Sequence, residues 1–225
     1  MAKQAYFTRN TFQFLKDLKA NNTREWFADN KDRYESHVKA PAMRLIQDFG
    51  GPLDKLAPHF TATPRSLFRI YRDTRFSKDK TPYKTAIGVH FRHERAKNAY
   101  APGYYFHVAP GEVFAGVGIW HPESKALRAI REHLAAESAA WKKAISRKAF
   151  RETFELEGDR LKRHPRGFDP EHPFIEDLKR KDFIGVARLT QAYAMSPDLP
   201  KELARTFKAG SPLMAFLCDA LDVPF

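Results

Sequence analysis

Residues 104–120 read YYFHVAPGEVFAGVGIW. Two apolar runs, Tyr104–Val108 and Val113–Trp120, flank Ala109-Pro110-Gly111-Glu112. A Pro-Gly pair between two such runs marks a tight turn, so the stretch predicts two antiparallel strands joined as a hairpin. Upstream, Ile87-Gly88-Val89-His90-Phe91 alternates between apolar and small or polar residues, and Leu67–Arg72 reads as a β-branched and aromatic strand segment. Four strands close in sequence with short connections imply a mainly antiparallel sheet over about residues 65–120.

Helical patterns flank that sheet. Asn10 or Thr11 is placed to cap a helix carrying Phe14, Leu15 and Leu18. Asn21-Asn22-Thr23 breaks and recaps the chain before Trp26, Phe27, Tyr34 and Val38. Pro41 then interrupts that helix or opens the next. Leu45, Ile46 and Phe49 continue the stripe until Gly50-Gly51-Pro52, which reads as a stop. After His121-Pro122, Leu127, Ile130 and Leu134 open a Lys/Arg-rich helical stretch to about Phe154. Residues 158–173, GDRLKRHPRGFDPEHP, form a Pro/Gly-rich loop in which Asp169 can cap a short helix from Pro170 to Lys179. Phe183–Leu189 predicts one more strand. Ser211 as cap and Pro212 in the first turn open a terminal helix with the stripe Leu213, Phe216, Leu217, Ala220, Leu221. Without repeats, low-complexity segments or a linker, residues 1–225 read as a single α+β domain, its sheet packed by N-terminal and C-terminal helices.

A chain of 225 residues with 43% hydrophobic and 13% aromatic content can bury a sizeable core. No run approaches the roughly 18 apolar residues of a membrane span. MAKQAYFTRNTF lacks an apolar signal core, and the single Cys218 excludes an internal disulfide. These features predict a soluble cytoplasmic protein with no membrane association. The formal net charge is +12 and the pI is near 9.8.

That charge is concentrated. Residues 65–84, RSLFRIYRDTRFSKDKTPYK, carry Arg65, Arg69, Arg72, Arg75, Lys78, Lys80 and Lys84 against Asp73 and Asp79, a net +5. Phe68, Tyr71, Phe76 and Tyr83 interleave with the cations, which points to a folded element and not a solvated tail. If Leu67–Arg75 is extended, Arg69, Tyr71, Asp73 and Arg75 share one face, with Arg72 on the other. Guanidinium groups suit forked recognition of phosphate or carboxylate. Ser77–Lys84 is turn-like and able to bring Lys80, Lys84 and the Tyr83 hydroxyl back over that face.

The pattern R69-xx-R72-D73-x-R75-F76-xx-D79-K80-xx-Y83 resembles the signature of an uncharacterised bacterial and fungal family, domain of unknown function 2461. The resemblance extends to Asn21-Asn22 with Glu25-Trp26-Phe27, to Asn30 and Tyr34, to Pro82-Tyr83-Lys84 and to Gly103-Tyr104-Tyr105. It also takes in Arg163-x-Pro165-x-Gly167-Phe168-Asp169 leading to His172-Pro173. It implies Arg69, Arg72, Asp73, Arg75, Phe76, Asp79, Lys80 and Tyr83 as the characteristic set and transfers no reaction.

The expectation is therefore an anion site. Arg69, Arg72, Arg75, Lys80 and Lys84 are the contacts, Asp73 orients the arginines, Asp79 holds the turn, and Tyr83 donates a hydrogen bond or a proton. For phosphoryl or phosphodiester chemistry, Asp73 and Tyr83 are the candidate catalytic groups, although arginine neighbours keep an Asp73 carboxyl acidic. An anionic small molecule is the expected partner. A nucleic-acid-binding module, with phosphates on the cations and bases on Tyr71, Phe76 or Tyr83, is the alternative. A salt-bridge network closed within the protein is the third.

Other polar groups read as weaker candidates. His90, His93, His107 and His121 lie in or beside predicted strands. Adjacent strands could bring His90 and His107 together, but no metal-binding spacing is present. Arg163, His164, Arg166, Asp169 and His172 make a second polar loop, either a wall of the site or a rigid connector. Asn30, Tyr34 and Glu35 either reach the arginine row or border the core. GxGxxG, GxxxxGK[ST], GxSxG and HExxH are all absent from the sequence. Cys218 sits beside an apolar stripe and reads as a packing residue.

Overall fold

Thr8 and Thr23 start the first two helices. In α1 (Arg9–Ala20) the Thr8 N–H donates to Thr11 Oγ1 at 3.0 Å, and in α2 (Arg24–Asp29) Thr23 Oγ1 accepts from the Trp26 N–H at 3.2 Å. The computed structural model describes residues 4–96 and 102–225. α3 (Lys31–Tyr34) runs through a π-helical turn, Glu35–Lys39, into α4 (Ala40–Leu56), with Pro41 in the first turn of α4. The Thr11 hydroxyl donates to the His37 carbonyl within that wide turn at 2.7 Å.

Six strands follow: β1 (Phe60–Thr61), β2 (Ile87–His93), β3 (Gly103–Ala109), β4 (Glu112–Ile119), β5 (Glu155–Glu157) and β6 (Phe183–Leu189). They form one sheet in the order β1-β2-β3-β4-β6-β5, with every neighbouring pair antiparallel. The α+β class and the hairpin at Ala109–Glu112 stand as read. Gly111 closes that hairpin at φ 82°, a conformation open to glycine.

The helices after β4 are α5 (Ser124–Ala136), α6 (Ser138–Ser146), α7 (Lys148–Thr153), α8 (Ile175–Leu178), α9 (Gln191–Ala194) and α10 (Leu199–Ala220). Alternation along the strands divides the sheet into two faces. Val89, Phe91, Tyr104, Phe106, Ala115 and Val117 point to a buried face. Phe49 of α4 meets Phe91, and Phe207 of α10 meets Phe91 and Tyr104 with centroids 4.9–6.4 Å apart. Phe150 of α7 and Trp141 of α6 reach Gly185 and Phe183 on the same side.

Three local readings are corrected. Leu67–Arg72 is not a strand: it touches the sheet through a single bridge, Leu67 to Val89, and otherwise pairs with its own chain, Tyr71 to Tyr83. Gly50-Gly51-Pro52 does not stop α4, which continues to Leu56. Nor does Ser211 cap the last helix, because α10 begins twelve residues earlier at Leu199. In both helices the buried apolar stripe outweighs the one hydrogen bond a proline removes.

Candidate functional site

The basic segment forms an arm on the edge of the sheet. Phe68 N–H donates to the Gly88 carbonyl at 2.9 Å, which ties the arm to β2. Beyond it the chain doubles back: Arg72 N–H donates to Pro82 O at 2.9 Å and Lys84 N–H to Ile70 O at 2.7 Å. Asn22 clasps the returning limb, donating through Nδ2 to Tyr83 O and accepting the Tyr83 N–H at Oδ1, both at 3.0 Å. The buried Tyr83 ring stacks on Phe27 at 4.1 Å. Burial and the neighbouring Tyr71 raise its phenol pKa, so the hydroxyl stays protonated.

The doubled arm divides its charged residues into two groups. At the tip, Asp73 receives Arg75 through Nε at 3.0 Å and NH2 at 2.6 Å. That fork, reinforced by the Arg75 N–H, pulls the Asp73 carboxyl down to about 2. Asp79 accepts the Thr81 N–H at 2.9 Å and pairs with Arg72, and it too lies at about 2. Lys80 donates to Thr74 O at 2.8 Å. Arg72, Asp73, Arg75, Asp79 and Lys80 are thus bound to one another or to their own backbone. Phe76 stands at the tip, 95% exposed, with the Arg75 guanidinium 5.8 Å from its ring.

The second group lies at the base. Lys84 Nζ donates to Arg69 O at 2.9 Å and sits 5.4 Å from the Phe68 ring. Arg92, from β2, approaches the same ring at 5.9 Å and donates from Nε to His90 Nδ1 at 3.3 Å. Burial first, and then the Arg69 charge, lower the Lys84 pKa. Among the described residues, none of Arg69, Lys84 and Arg92 has a carboxylate within ion-pair distance.

The base of the arm opens onto the second face of the sheet. Pairing places Gly88 opposite His107, His90 opposite Tyr105, Tyr105 opposite Gly116 and His107 opposite Phe114. Gly88 leaves room for the Tyr105 hydroxyl, which lies 2.7 Å from where a Cβ would be. That hydroxyl is 3.1 Å from His107 Nδ1, and the His107 ring stacks on Phe114 at 4.6 Å. His107 Nε2 lies 3.8 Å from Glu112. Phe68 packs on His90 and Tyr105 with centroids 5.9 and 5.8 Å away. Burial, helped by the Arg92 charge, drops His90 to about 4, and burial lowers His107 against the opposing pull of Glu112. Burial raises the Tyr105 phenol to about 12. The face is therefore neutral at its centre and cationic along its β2 edge.

His90 and His107 do share this face, with Tyr105 between them. Among the described residues, no three His, Cys, Asp or Glu side chains are grouped to hold a metal. Sequence reasoning passed over Arg92, Phe68, Tyr105, Phe114 and Gly116 as a group. The signal was the period-2 spacing of Gly88-His90-Arg92 and of Gly103-Tyr105-His107 against apolar neighbours.

The remaining candidates make other contacts. His93 Nε2 lies 2.8 Å from Pro224 O, and His121 pairs with Asp182. Asp169 accepts from the Glu171 N–H, and His172 reaches Ser138 of α6 at 3.3 Å. Asn30 bonds Trp26 O and Arg33, Glu35 pairs with Lys39, and Tyr34 lies in the core against Phe14 and Phe27. A separate cavity of about 400 Å³, lined by Tyr6, Thr8, Asn10, His37 and Arg44 among others, lies beside α1 and shares no residue with the arm. Cys218 is buried, and burial holds its thiol up at about 12.

No curated protein and no solved structure matches the chain. The family model described as conserved hypothetical protein (DUF2461) matches residues 10–216, which include both limbs of the arm and both faces of the sheet. The chain belongs to this family of conserved hypothetical proteins, domain of unknown function 2461.

Proposed function

We propose that the protein binds a small phosphate-bearing or otherwise anionic molecule where the base of the arm meets the open sheet face. One observation carries this reading. Lys84 and Arg92 each approach the Phe68 ring, at 5.4 and 5.9 Å, the Arg69 charge acts on Lys84, and none of the three has a described carboxylate within ion-pair distance. Burial and then repulsion from the Arg69 charge lower the Lys84 pKa, and an anion beside the two cations relieves that repulsion. The reading gives Asp73 and Asp79 the work of holding Arg75 and Arg72. A carboxylate near 2 locked on a guanidinium does not serve as a base at neutral pH. It also makes binding, and not turnover through Asp73 or Tyr83, the primary activity.

The exposed tip favours a second reading, a nucleic-acid-binding module. Phe76, 95% exposed beside Arg75, and Tyr71, 56% exposed against Tyr83, would stack on bases while the cations follow the backbone. The pairs Arg72–Asp79 and Arg75–Asp73 support the third, purely structural, account for the tip alone.

A thermal-shift panel of phosphate, sugar phosphates and short single-stranded oligonucleotides at two salt concentrations separates the three. A ligand at about 100 times its Kd adds roughly 2.7 kcal/mol to the native state. The expected result is a shift with a small phosphate that Lys84→Ala or Arg92→Ala abolishes and Arg75→Ala does not. A steeply salt-dependent shift with oligonucleotides alone, lost in Phe76→Ala, selects the second reading. No shift with any ligand, together with a lower Tm for Arg75→Ala, leaves the structural account.

A further inference from the structure

The cavity of about 400 Å³ beside α1 is lined by the segment that leads into α1 and by the π-helical turn that leads into α4. Its volume falls in the range of small-molecule sites. Ser36, His37, Ala40, Pro41 and Arg44 recur at the spacing of one helical face, so the run from the π turn into α4 presents one wall to it. Pro41 supplies no N–H to that helix, and the His37 carbonyl takes the Thr11 hydroxyl at 2.7 Å. Wide turns of this kind are rare and recur at functional sites. The lining carries one permanent charge, Arg44, and no acidic residue. Asp48, one turn further along α4, accepts the Tyr6 hydroxyl at 2.6 Å. Among the described residues, no carboxylate lies within ion-pair distance of Arg44.

The Arg44 guanidinium lies 4.8 Å from the Tyr6 ring, a contact that helps to hold it in place. One terminal nitrogen, NH1, donates to Gln4 Oε1 at 2.9 Å, and the other, NH2, donates to Ala5 O at 2.6 Å. Two neutral oxygens thus occupy the two nitrogens that a carboxylate would grip as a fork. Exchanging a neutral acceptor for a charged one strengthens the bond and supplies the counter-charge that Arg44 lacks. Gln4 is exposed, so its amide can return to water.

We propose that this cavity is a second binding site, for a small hydroxylated carboxylate of the hydroxy-acid or sugar-acid class. Its carboxylate lies on Arg44 in place of the Gln4 side chain, and its hydroxyls meet Thr8, Asn10, Ser36 and His37. One guanidinium balances one carboxylate, whereas a phosphate dianion calls for more than one cation. Hydroxyl, amide and imidazole groups both donate and accept, as ligand hydroxyls do. The cavity shares no residue with the base of the arm, so the two sites stand or fall separately.

Amide NMR titration of the full chain with gluconate, lactate, hexanoate and glucose at constant ionic strength tests this. Saturable shifts are expected at residues 4–11 and 36–44 with gluconate or lactate, and none with glucose, which lacks the charge. Hexanoate, which lacks the hydroxyls, should bind about tenfold more weakly. Arg44→Lys keeps the charge but loses the fork and should weaken binding by about tenfold. Gln4→Ala removes the competing acceptor and should tighten binding by about threefold. Gln4 is exposed, so the second variant keeps the test decisive if the first does not fold. Shifts confined to residues 67–92 move the carboxylate to the arm and overturn this site. Shifts that glucose reproduces, that never saturate or that ignore both substitutions overturn it too, as does the absence of any shift. Equal affinity for hexanoate overturns the hydroxylated class.

Discussion

His90 sits beneath Phe68 with its Nε2 over Gly103, where any larger residue would collide with the imidazole. Burial and Arg92 hold its pKa near 4, against about 6.5 in an unfolded chain. As pH falls below about 6.5 the unfolded state takes up the proton first, so the native state loses ground until about pH 4. Stability is full above 6.5 and declines through that window, by on the order of a few kcal/mol for a shift this size. Denaturant midpoints at intervals from pH 7 to 4 measure the slope. His90→Gln keeps an acceptor for Arg92 Nε and should flatten most of it, with His107 supplying a smaller remainder of the same sign. An unchanged slope in the variant would sink the assignment. The Asp79 carboxyl acts in the same direction over a lower range: its contribution is full above about pH 4 and is lost as pH falls through about 2. Carboxyl NMR should find that low midpoint, and Arg72→Ala should raise it only part of the way toward the ordinary value near 3.9, because the Thr81 N–H is the larger cause and remains.

At the scale of elements, the arm depends on its clasp. Asn22 bonds both backbone groups of Tyr83 through its side chain, and Tyr83 carries the Phe27 stack. Two part-buried hydrogen bonds contribute about 1–3 kcal/mol together. Asn22→Ala should cost that much and raise amide exchange across residues 67–84 above that of α10; equal exchange would show the arm is held by other means. Gly210 of α10 supplies a second test, because a Cβ there would lie 2.8 and 2.9 Å from the methyls of Val117. In an exposed helix Gly→Ala gains about 1 kcal/mol, whereas here overpacking should reverse the sign and destabilise by about 1–2 kcal/mol in chemical denaturation. These elements also mark how far the sequence could be read. The strands β2, β3 and β4 were legible because one face is apolar core and the other carries small, polar or aromatic residues, so alternation is enforced. The arm was not, because Leu67–Arg72 pairs mainly with its own return limb through single bridges, and Pro82 offers no N–H to extend them. The cation set was legible by composition, but its division into a paired tip and an unpaired base depends on which carboxylate each arginine meets. Spacing along the chain does not reveal that. Arg92 joins the base from a different element altogether. Ser211-Pro212 read as a helix start because local signals ignore the buried stripe from Leu199 to Leu217 that carries α10 through it.

For the whole molecule, the charge of +12 acts over a body whose radius of gyration is about 17 Å for this length. At 0.01 M ionic strength the Debye length is about 30 Å, so every positive group senses the others; at 0.15 M it is about 8 Å, and only neighbours interact. Salt therefore removes a destabilising self-repulsion, while it weakens surface ion pairs that contribute little individually. The repulsive sum should win. Raising NaCl from 0.01 to 0.15 M is expected to increase Tm by about 2–4 °C, equivalent to roughly 1 kcal/mol for a chain of this size. A fall in Tm would mean that pairs such as Arg33–Asp17 and Arg188–Glu157 outweigh the net charge. The excess is uneven, with net +5 in residues 65–84, so the response should be uneven too. Amide exchange in the arm should slow more with added salt than exchange in α4 or α10. Lys84→Ala, which removes one of the cations at its base, should reduce that difference. If it leaves the difference intact, the repulsion resides at the paired tip and the base is not the strained end of the arm.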